Sequence, residues 1–412
     1  MILANLSAVI TFLFLAVILS YYVLLFLPHR LPKKETTLDT LTIIIPAHNE
    51  ASRISLCLDA VMAAQWQGKK QVIVIDDGSK DGTSKIVRNY PVLLLKSKHK
   101  GKSAAINLAL KHAMGKAITI VDADSIIEQH ALMILKETLE RKGVAAVTGI
   151  IKVHNRKTFL GMWLHIEQIY NSLMRSILTK VNANIVTPGP LSMYRKAAID
   201  DIEGFSIHGY SEDIDITVRL IRKGYLVKYA PAVSSTIMPV SCKGFFRQRR
   251  RFAMGMLNIF KKHLSIGNKL IDVYTLPLFV FIYLQAVIVG LFTLYQIISG
   301  YCTYFLAKGV ILNGYVLKFF FEWLSIIGFV KWGMGVFSGT TPLTLVTAVG
   351  ILASLLSYPL FLYAIIKYDK NIDIFHAIPF FFMFPFWLII MVIYILMIPT
   401  FFKEQRNRWH KE

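Results

Sequence analysis

Leu41-Thr42-Ile43-Ile44-Ile45-Pro46 and Gln71-Val72-Ile73-Val74-Ile75-Asp76-Asp77-Gly78 decide the fold of this chain. Each is a short run of β-branched and apolar residues, read as a strand buried inside a sheet. Between them, residues 52–64 carry apolar side chains at helical spacing. Downstream, 80–89 reads as helix, 92–95 as strand, 102–114 as helix and 117–121 as a fourth strand. Strands alternating with helices predict a mostly parallel, doubly wound, Rossmann-like α/β sheet. Ligands of such sheets bind beyond the carboxyl ends of the strands. Glu50, Asp76, Asp77, Asp122 and Asp124 all fall just past such ends.

Asp122-Ala123-Asp124 closes the fourth strand with two carboxylates one residue apart. Such a pair can hold a hard divalent cation, and the cation can neutralise a diphosphate. A plain turn with Asp124 or Ser125 capping the next helix is the other reading. Two nucleotide motifs are missing. No Gly-x-Gly-x-x-Gly follows the first strand, which argues against a dinucleotide site. Gly101-Lys102-Ser103 has the ending of a P-loop, but Lys96 stands where its first glycine belongs. The helix start at Lys102 still offers backbone donors and an ammonium to a phosphate.

Two polar groups follow. Gly209-Tyr210-Ser211-Glu212-Asp213-Ile214-Asp215 opens a segment of helical periodicity, so its acids also suit a helix N-terminus. Gln248-Arg249-Arg250-Arg251-Phe252 is a basic stretch among aromatic residues, compatible with a helix lying at a membrane surface.

In this order, Asp76-Asp77-Gly78, Asp122-Ala123-Asp124, Glu212-Asp213 and Gln248-Arg249-Arg250-Arg251-Phe252 resemble the motif set of processive family 2 glycosyltransferases with a GT-A fold. The resemblance runs over residues 37–258, with apolar segments on both sides. It departs at Phe252, where the family usually has Trp; the ring is kept and the indole N–H is lost. Chain length, a single N-terminal helix and the Gln-Arg-Arg-Arg-Phe variant are most similar to the branch that makes poly-β-1,6-N-acetylglucosamine for biofilms.

The resemblance implies a division of labour. Asp76 and Asp77, with Glu50, Lys102 and Asp122, contact the donor nucleotide. Asp122 and Asp124 hold Mg2+ or Mn2+. Asp213 is the general base of an inverting displacement, with Glu212 and Asp215 as competitors for that role. Glu212, Gln248, Arg251 and Phe252 serve the diphosphate and the acceptor, while Arg249 and Arg250 face lipid or solvent. Thr187-Pro188-Gly189-Pro190-Leu191-Ser192 resembles the loop before the acceptor, and as a plain turn it reads equally well. His48 has no second His or Cys spaced to make a metal site with it. The implied partners are UDP-GlcNAc, a growing polysaccharide chain, membrane lipids and a small accessory membrane subunit.

Composition sets the surroundings. The chain has 412 residues, 55% of them hydrophobic, with the apolar runs gathered at its two ends. Residues 2–27 carry no charge and exceed the ~20 residues that span a bilayer. They lack a basic leader and a small-residue cleavage site, so residues 1–28 are expected to be an uncleaved transmembrane helix. Residues 274–299, 342–366 and 376–402 read as further spans. Residues 310–330, interrupted by Lys318 and Glu322, read either as a fourth C-terminal span, which the even number of crossings favours, or as an interfacial segment. Basic residues follow the first helix (His29 to Lys34) and fill the tail 403–412. The positive-inside rule then makes both cytoplasmic, along with a central GT-A domain at 37–268. A net charge of +21 suits a surface held against anionic lipid. Nucleic acid is not an expected partner, since no reader motif is present. Cys57, Cys242 and Cys302 are too far apart for a metal cluster and suit a reducing compartment.

Overall fold

The computed structural model describes residues 2–402 except 210, 266, 370 and 371, so the basic tail expected at 403–412 lies outside the described residues. A long apolar helix, α1 (Ile2–Phe26), leads into β1 (Thr40–Ala47), α2 (Ile54–Ala63), β2 (Lys69–Asp76), α3 (Thr83–Val87), β3 (Leu93–Lys96), α4 (Lys102–Leu110) and β4 (Ala117–Ile120). This half follows the alternation expected from the sequence. Next come β5 (Ser125–Ile127), α5 (Ala131–Leu139), β6 (Val144–Val153), α6 (Phe159–Leu178), β7 (Ser192–Arg195), α7 (Lys196–Asp201), α8 (Glu212–Arg222) and β8 (Leu226–Thr236). The domain closes on α9 (Cys242–His263). Then follow α10 (Leu276–Tyr304), α11 (Gly314–Leu324), α12 (Ile326–Phe337), α13 (Leu345–Tyr368), α14 (Ile374–Phe381) and α15 (Met383–Met397).

The eight strands form one sheet in the order β3-β2-β1-β4-β7-β6-β8-β5. Period-2 alternation sorts the side chains. Ile43, Ile45, Val72 and Val74 pack on the side of α2 and α5. Ile44, Ile73 and Ile75 pack on the opposite side with α4 and α8. Each buried aliphatic side chain is worth about 1.5–3 kcal/mol, so the two layers fix the register of the central strands. Strands β1 to β4 pair in parallel. The second half keeps the sheet mostly parallel through the β6–β8 pair and adds antiparallel neighbours: β7 runs antiparallel to both β4 and β6, and β5 antiparallel to β8. β7 has four residues and β5 three, too short to print a periodic signal in the sequence. Chain direction leaves β1 one way to β2 and the other way to β4, which opens a crevice at their carboxyl ends.

Among the described residues, four helical stretches are long and apolar enough to cross a membrane: Ala8–Phe26, Ile271–Lys308, Leu345–Tyr368 and Met383–Thr400. The segment at 310–330, readable as a span or as an interfacial segment, is the pair α11 and α12, bent by 88°. Ser325 takes an extended conformation at the break, and a side chain at Gly328 would put its Cβ 2.1 Å from the Glu322 carbonyl. The pair makes a fifth crossing only if both halves count as one. The last segment also starts later than expected. His376 is buried in α14, bound to Asp369 and Asp373, and the membrane-length stretch begins at Met383.

Two polar seams tie the sheet domain to these helices. In one, Asp369 after α13 accepts from Lys152 at 2.8 Å, His165 at 2.6 Å and His376 at 2.9 Å. His165, Asp369 and His376 are close enough to hold a metal ion. The Val153 N–H, however, donates to Nδ1 of His165, which leaves the proton of a neutral ring on the nitrogen facing Asp369. With the Lys152 ammonium on the same carboxylate, the trio reads as an ion-paired clasp. In the other seam, Arg222 at the end of α8 binds Asp272 at 2.6 Å and the His263 carbonyl at 2.7 Å. Asp272 lies in the π-turn that enters α10.

Candidate active site

The carboxylates expected at strand ends do gather at the crevice, but they divide into two kinds. Asp76 and Asp77 are buried and already engaged. Asp76 accepts from the Ser79 N–H at 2.8 Å and from the Ser84 hydroxyl. Asp77 accepts from the N–H groups of Lys100 at 2.9 Å and Gly101 at 2.8 Å. Both therefore brace the loops at the rim of the crevice. His48 and His99 stack there at 4.2 Å, each with a ring nitrogen toward the Asp77 carbonyl. Glu50 is buried behind the same rim, 3.9 Å from Arg53.

Asp122, Glu212 and Lys102 form the second kind. Lys102, at the first position of α4, bridges Asp122 at 2.7 Å and Glu212 at 2.8 Å. Burial disfavours its ammonium, yet the two carboxylates outweigh burial and hold its pKa above the usual value. Burial likewise works against the Glu212 anion; the Lys102 ammonium, helped by Arg251, keeps its pKa low. The loop 187–192, equally readable as a turn, closes over this bridge. Its Gly189 carbonyl accepts from the Asp122 N–H at 3.1 Å. A Cβ on Gly189 would sit 2.5 Å from the Lys102 Nζ and 2.6 Å from an Asp122 oxygen, so only glycine leaves that space open.

Asp213 sits beside the bridge in the first turn of α8. Its backbone carbonyl accepts from the hydroxyls of Thr187 at 3.1 Å and Thr217 at 2.6 Å, which fixes the turn. Among the described residues, its carboxylate accepts one short-range bond, from the Ile214 N–H at 2.9 Å. Burial, then the neighbouring Glu212 charge, push its pKa up to about 7, against the pull of Lys102. Asp215, the competitor, points elsewhere. It accepts from Arg219 at 2.8 Å, Lys262 at 2.6 Å and His263 at 2.8 Å. Burial alone would raise its pKa, but these bonds hold it well below the usual range, so it is a poor proton acceptor.

Asp124 lies one residue beyond Ala123, with its Oδ1 at 3.4 Å from the Thr236 hydroxyl. Asp122 offers hard carboxylate oxygens next to the space that Gly189 keeps open, and Asp124 follows two residues on; carboxylate oxygens of this kind suit a divalent cation of the Mg2+ or Mn2+ type.

On α9, Gln248 donates to the Met238 sulfur at 3.4 Å, while its Oε1 is buried with no partner among the described residues. Phe252 is 40% exposed, which leaves its ring available, and Arg251 lies close enough to act on Glu212. Arg250 is exposed as expected. Arg249 is not. It is buried, donates to both oxygens of Glu167 on α6, and lies among Phe245, Phe252 and Phe386. Helical periodicity turns it inward, away from lipid. Glu167 went unnoticed in the sequence, although a lone acid in a long, largely apolar helix is a signal of a buried partner.

Residues 42–203 match the family model described as Glycosyl transferase family 2. Over that stretch the chain is similar to family 2 glycosyltransferases. Over 228 residues it is 29% identical to the poly-beta-1,6-N-acetyl-D-glucosamine synthase of Staphylococcus aureus (strain COL), covering 53% of this chain and 55% of that protein. Over 247 residues it is 26% identical to the synthase of the same name from Staphylococcus epidermidis, covering 57% and 60%. The chain thus spans somewhat more than half the length of these curated relatives. Among solved structures, the mannosyltransferase PcManGT from Pyrobaculum calidifontis, in complex with GDP-Man and Mn2+, shares the fold. The two align over 95% of this chain and 99% of that one, with a TM-score of 0.57 at 19% identity. The matched stretch therefore sits in a GT-A fold, and the likeness of fold continues into the C-terminal helices.

Proposed function

We propose that this protein is a processive, inverting membrane glycosyltransferase. It polymerises N-acetylglucosamine from UDP-GlcNAc into a β-1,6-linked biofilm exopolysaccharide and couples extension to export. One observation carries the reading: Asp213, with its pKa raised, stands beside the Lys102–Asp122–Glu212 bridge at the ligand edge of the sheet. In this reading Asp213 takes the proton of the acceptor hydroxyl as that oxygen attacks the anomeric carbon. The bond to UDP breaks on the opposite face, so an α-linked donor gives a β-linked product. Lys102 exchanges its carboxylates for oxygens of the donor diphosphate, with Arg251 as a second cation. Asp122 and Asp124 are the residues that would hold Mg2+ or Mn2+, which supplies positive charge to the diphosphate when bound. Glu50, Asp76 and Asp77 shape the nucleotide end by bracing its loops. Gln248 and Phe252 border the acceptor.

The basic residues after α1 favour a cytoplasmic domain over residues 37–268, fed from the cytoplasm. A hydrophilic polymer cannot cross hydrocarbon unaided, so the helices from 274 to 402 form its path, joined by a small accessory membrane subunit.

The decisive test is a donor panel on the protein in lipid, with Mg2+ or Mn2+ and with Asp213→Asn as control. UDP-GlcNAc alone should give UDP and polymer, and the polymer should be cut by a β-1,6-specific hexosaminidase. Polymer resistant to that enzyme would point to another linkage. UDP without polymer, even with the accessory subunit added, would remove processivity. Absence of UDP release from every donor would overturn the reading.

Two further outcomes follow from the site. A base must be deprotonated to work, so kcat/KM should be full above pH 7 and fall as pH drops through about 7. Glu212→Gln removes a like charge beside Asp213 and should move that limb to lower pH; an unmoved limb would contradict the coupling. Gly189→Ala should push aside the Asp122 carboxylate and the Lys102 ammonium. A misplacement of that size costs about 10²-fold in kcat/KM. Mn2+ binding followed by electron paramagnetic resonance should weaken with it, while the unfolding temperature stays close to wild type.

A further inference from the structure

Most buried or half-buried cations in this protein are neutralised by a carboxylate: Lys102, Lys152, Arg222 and Arg249 all have one in contact. Arg175 instead lies singly against Ser172 and the Gly149 carbonyl, whereas three lysines without a carboxylate gather in one place. Lys228 on β8 is 5% exposed, yet among the described residues its ammonium has a single acceptor, the Thr179 carbonyl at 3.3 Å. Lys180, next in sequence to Thr179, spends its three protons on the carbonyls of Leu24, Leu25 and Leu27 at the end of α1, at 3.1, 2.7 and 2.8 Å. Its hydrogen bonds are satisfied and its charge is not. Lys367 stands in the last turn of α13, over the rings of Tyr363 and Tyr368. α13 packs on α1, where the Tyr22 hydroxyl donates to the Leu356 carbonyl at 2.7 Å. Among the described residues, none of these three lysines has a carboxylate at ion-pair distance.

Their fields meet at His29. Burial, then the charges of Lys228, Lys180, Lys367 and Arg141, hold its pKa below the usual value. Like charges gathered in a partly desolvated place are unfavourable without a counter-charge. Apolar groups stand exposed directly alongside: Val23 and Phe26 on α1, Tyr363 and Ile366 on α13. A ligand that answers both features carries an anion and hydrocarbon together.

We propose that Lys180, Lys228 and Lys367 form a binding site for the phosphate headgroup of an anionic phospholipid, with its acyl chains along the outer faces of α1 and α13. The phosphate supplies the counter-charge that the chain lacks there. The site lies at the ends of both helices, where a bilayer presents its headgroups. It does not depend on the transferase reading, and its test involves no turnover.

The experiment uses the full chain in neutral detergent with dioctanoyl phosphatidylglycerol, dioctanoyl phosphatidylcholine or inorganic phosphate. Bound lipid is counted by native mass spectrometry, and the unfolding midpoint is followed against ligand concentration. The variant Lys228→Met/Lys367→Gln is compared with Lys85→Gln/Lys111→Gln, which removes the same charge from exposed positions of the sheet domain. Phosphatidylglycerol should bind wild type and the control pair alike, and bind the site variant about 30-fold more weakly. Lys367→Glu, at an exposed position, reads the same loss without touching the buried lysine. Equal affinity for the site variant and the control pair would overturn the proposal, as would phosphatidylcholine binding as well as phosphatidylglycerol. Inorganic phosphate acting at the same concentration would replace the lipid by a soluble anion.

Discussion

Asp213→Asn should lower kcat by about 10²–10⁴-fold while donor affinity changes little. The amide has the shape of the carboxylate but cannot accept the proton of an attacking hydroxyl. The turn that holds it should survive, because the hydroxyls of Thr187 and Thr217 bind the backbone carbonyl of residue 213 and not its side chain. The Ile214 N–H can still donate to the amide oxygen. The measurement is UDP release at saturating donor, paired with donor binding by calorimetry. A tenfold loss or less would move the base elsewhere. Asp215 is a poor alternative, since Arg219, Lys262 and His263 already occupy its oxygens. Asp215→Asn should therefore act mainly on stability, and the two variants together separate the neighbours.

The second large effect is expected at Arg249. Arg249→Met leaves the Glu167 carboxylate buried without its partner, a loss of about 3–5 kcal/mol. Glu167→Leu in the same chain should restore most of it, because an apolar pair of similar volume escapes the cost of burying two charges. Thermal unfolding in detergent gives both numbers. Activity should not recover in parallel. Arg249 is flanked in sequence by Gln248 and Arg250, with Arg251 next, and its bond to α6 sets the rotation of α9 on which Gln248 and Arg251 depend. Full recovery of both stability and turnover in the double variant would reduce the pair to packing.

What the sequence made legible was local. The strand β1 is a continuous apolar run, and helices between strands keep their own period, so the first half of the sheet could be drawn before any coordinates. Acids at strand ends were visible for the same reason: the end of a strand is a position in sequence. The partners of those acids were not. Asp76 and Asp77 look alike in sequence to Asp122, yet they brace loops while Asp122 meets Lys102. Arg249 and Arg251 are two residues apart in one helix, and only the packing of α6 against α9 decides which is buried. The kink at Ser325 was legible only as an interruption, because the two charges that mark it, Lys318 and Glu322, do not say which way the chain turns.

The seam from Arg222 to Asp272 bears on how such proteins can be recombined. Arg222 ends the helix that begins with Glu212 and Asp213, and Asp272 opens the first helix of the C-terminal set. The boundary drawn by hydropathy near residue 270 therefore cuts through a charge pair whose acid is buried. A chimera that takes its C-terminal helices from another parent must inherit an acid opposite Arg222. Without one it strands a cation at the tail of α8. The heritable module is the domain together with the first turn of the span that follows it.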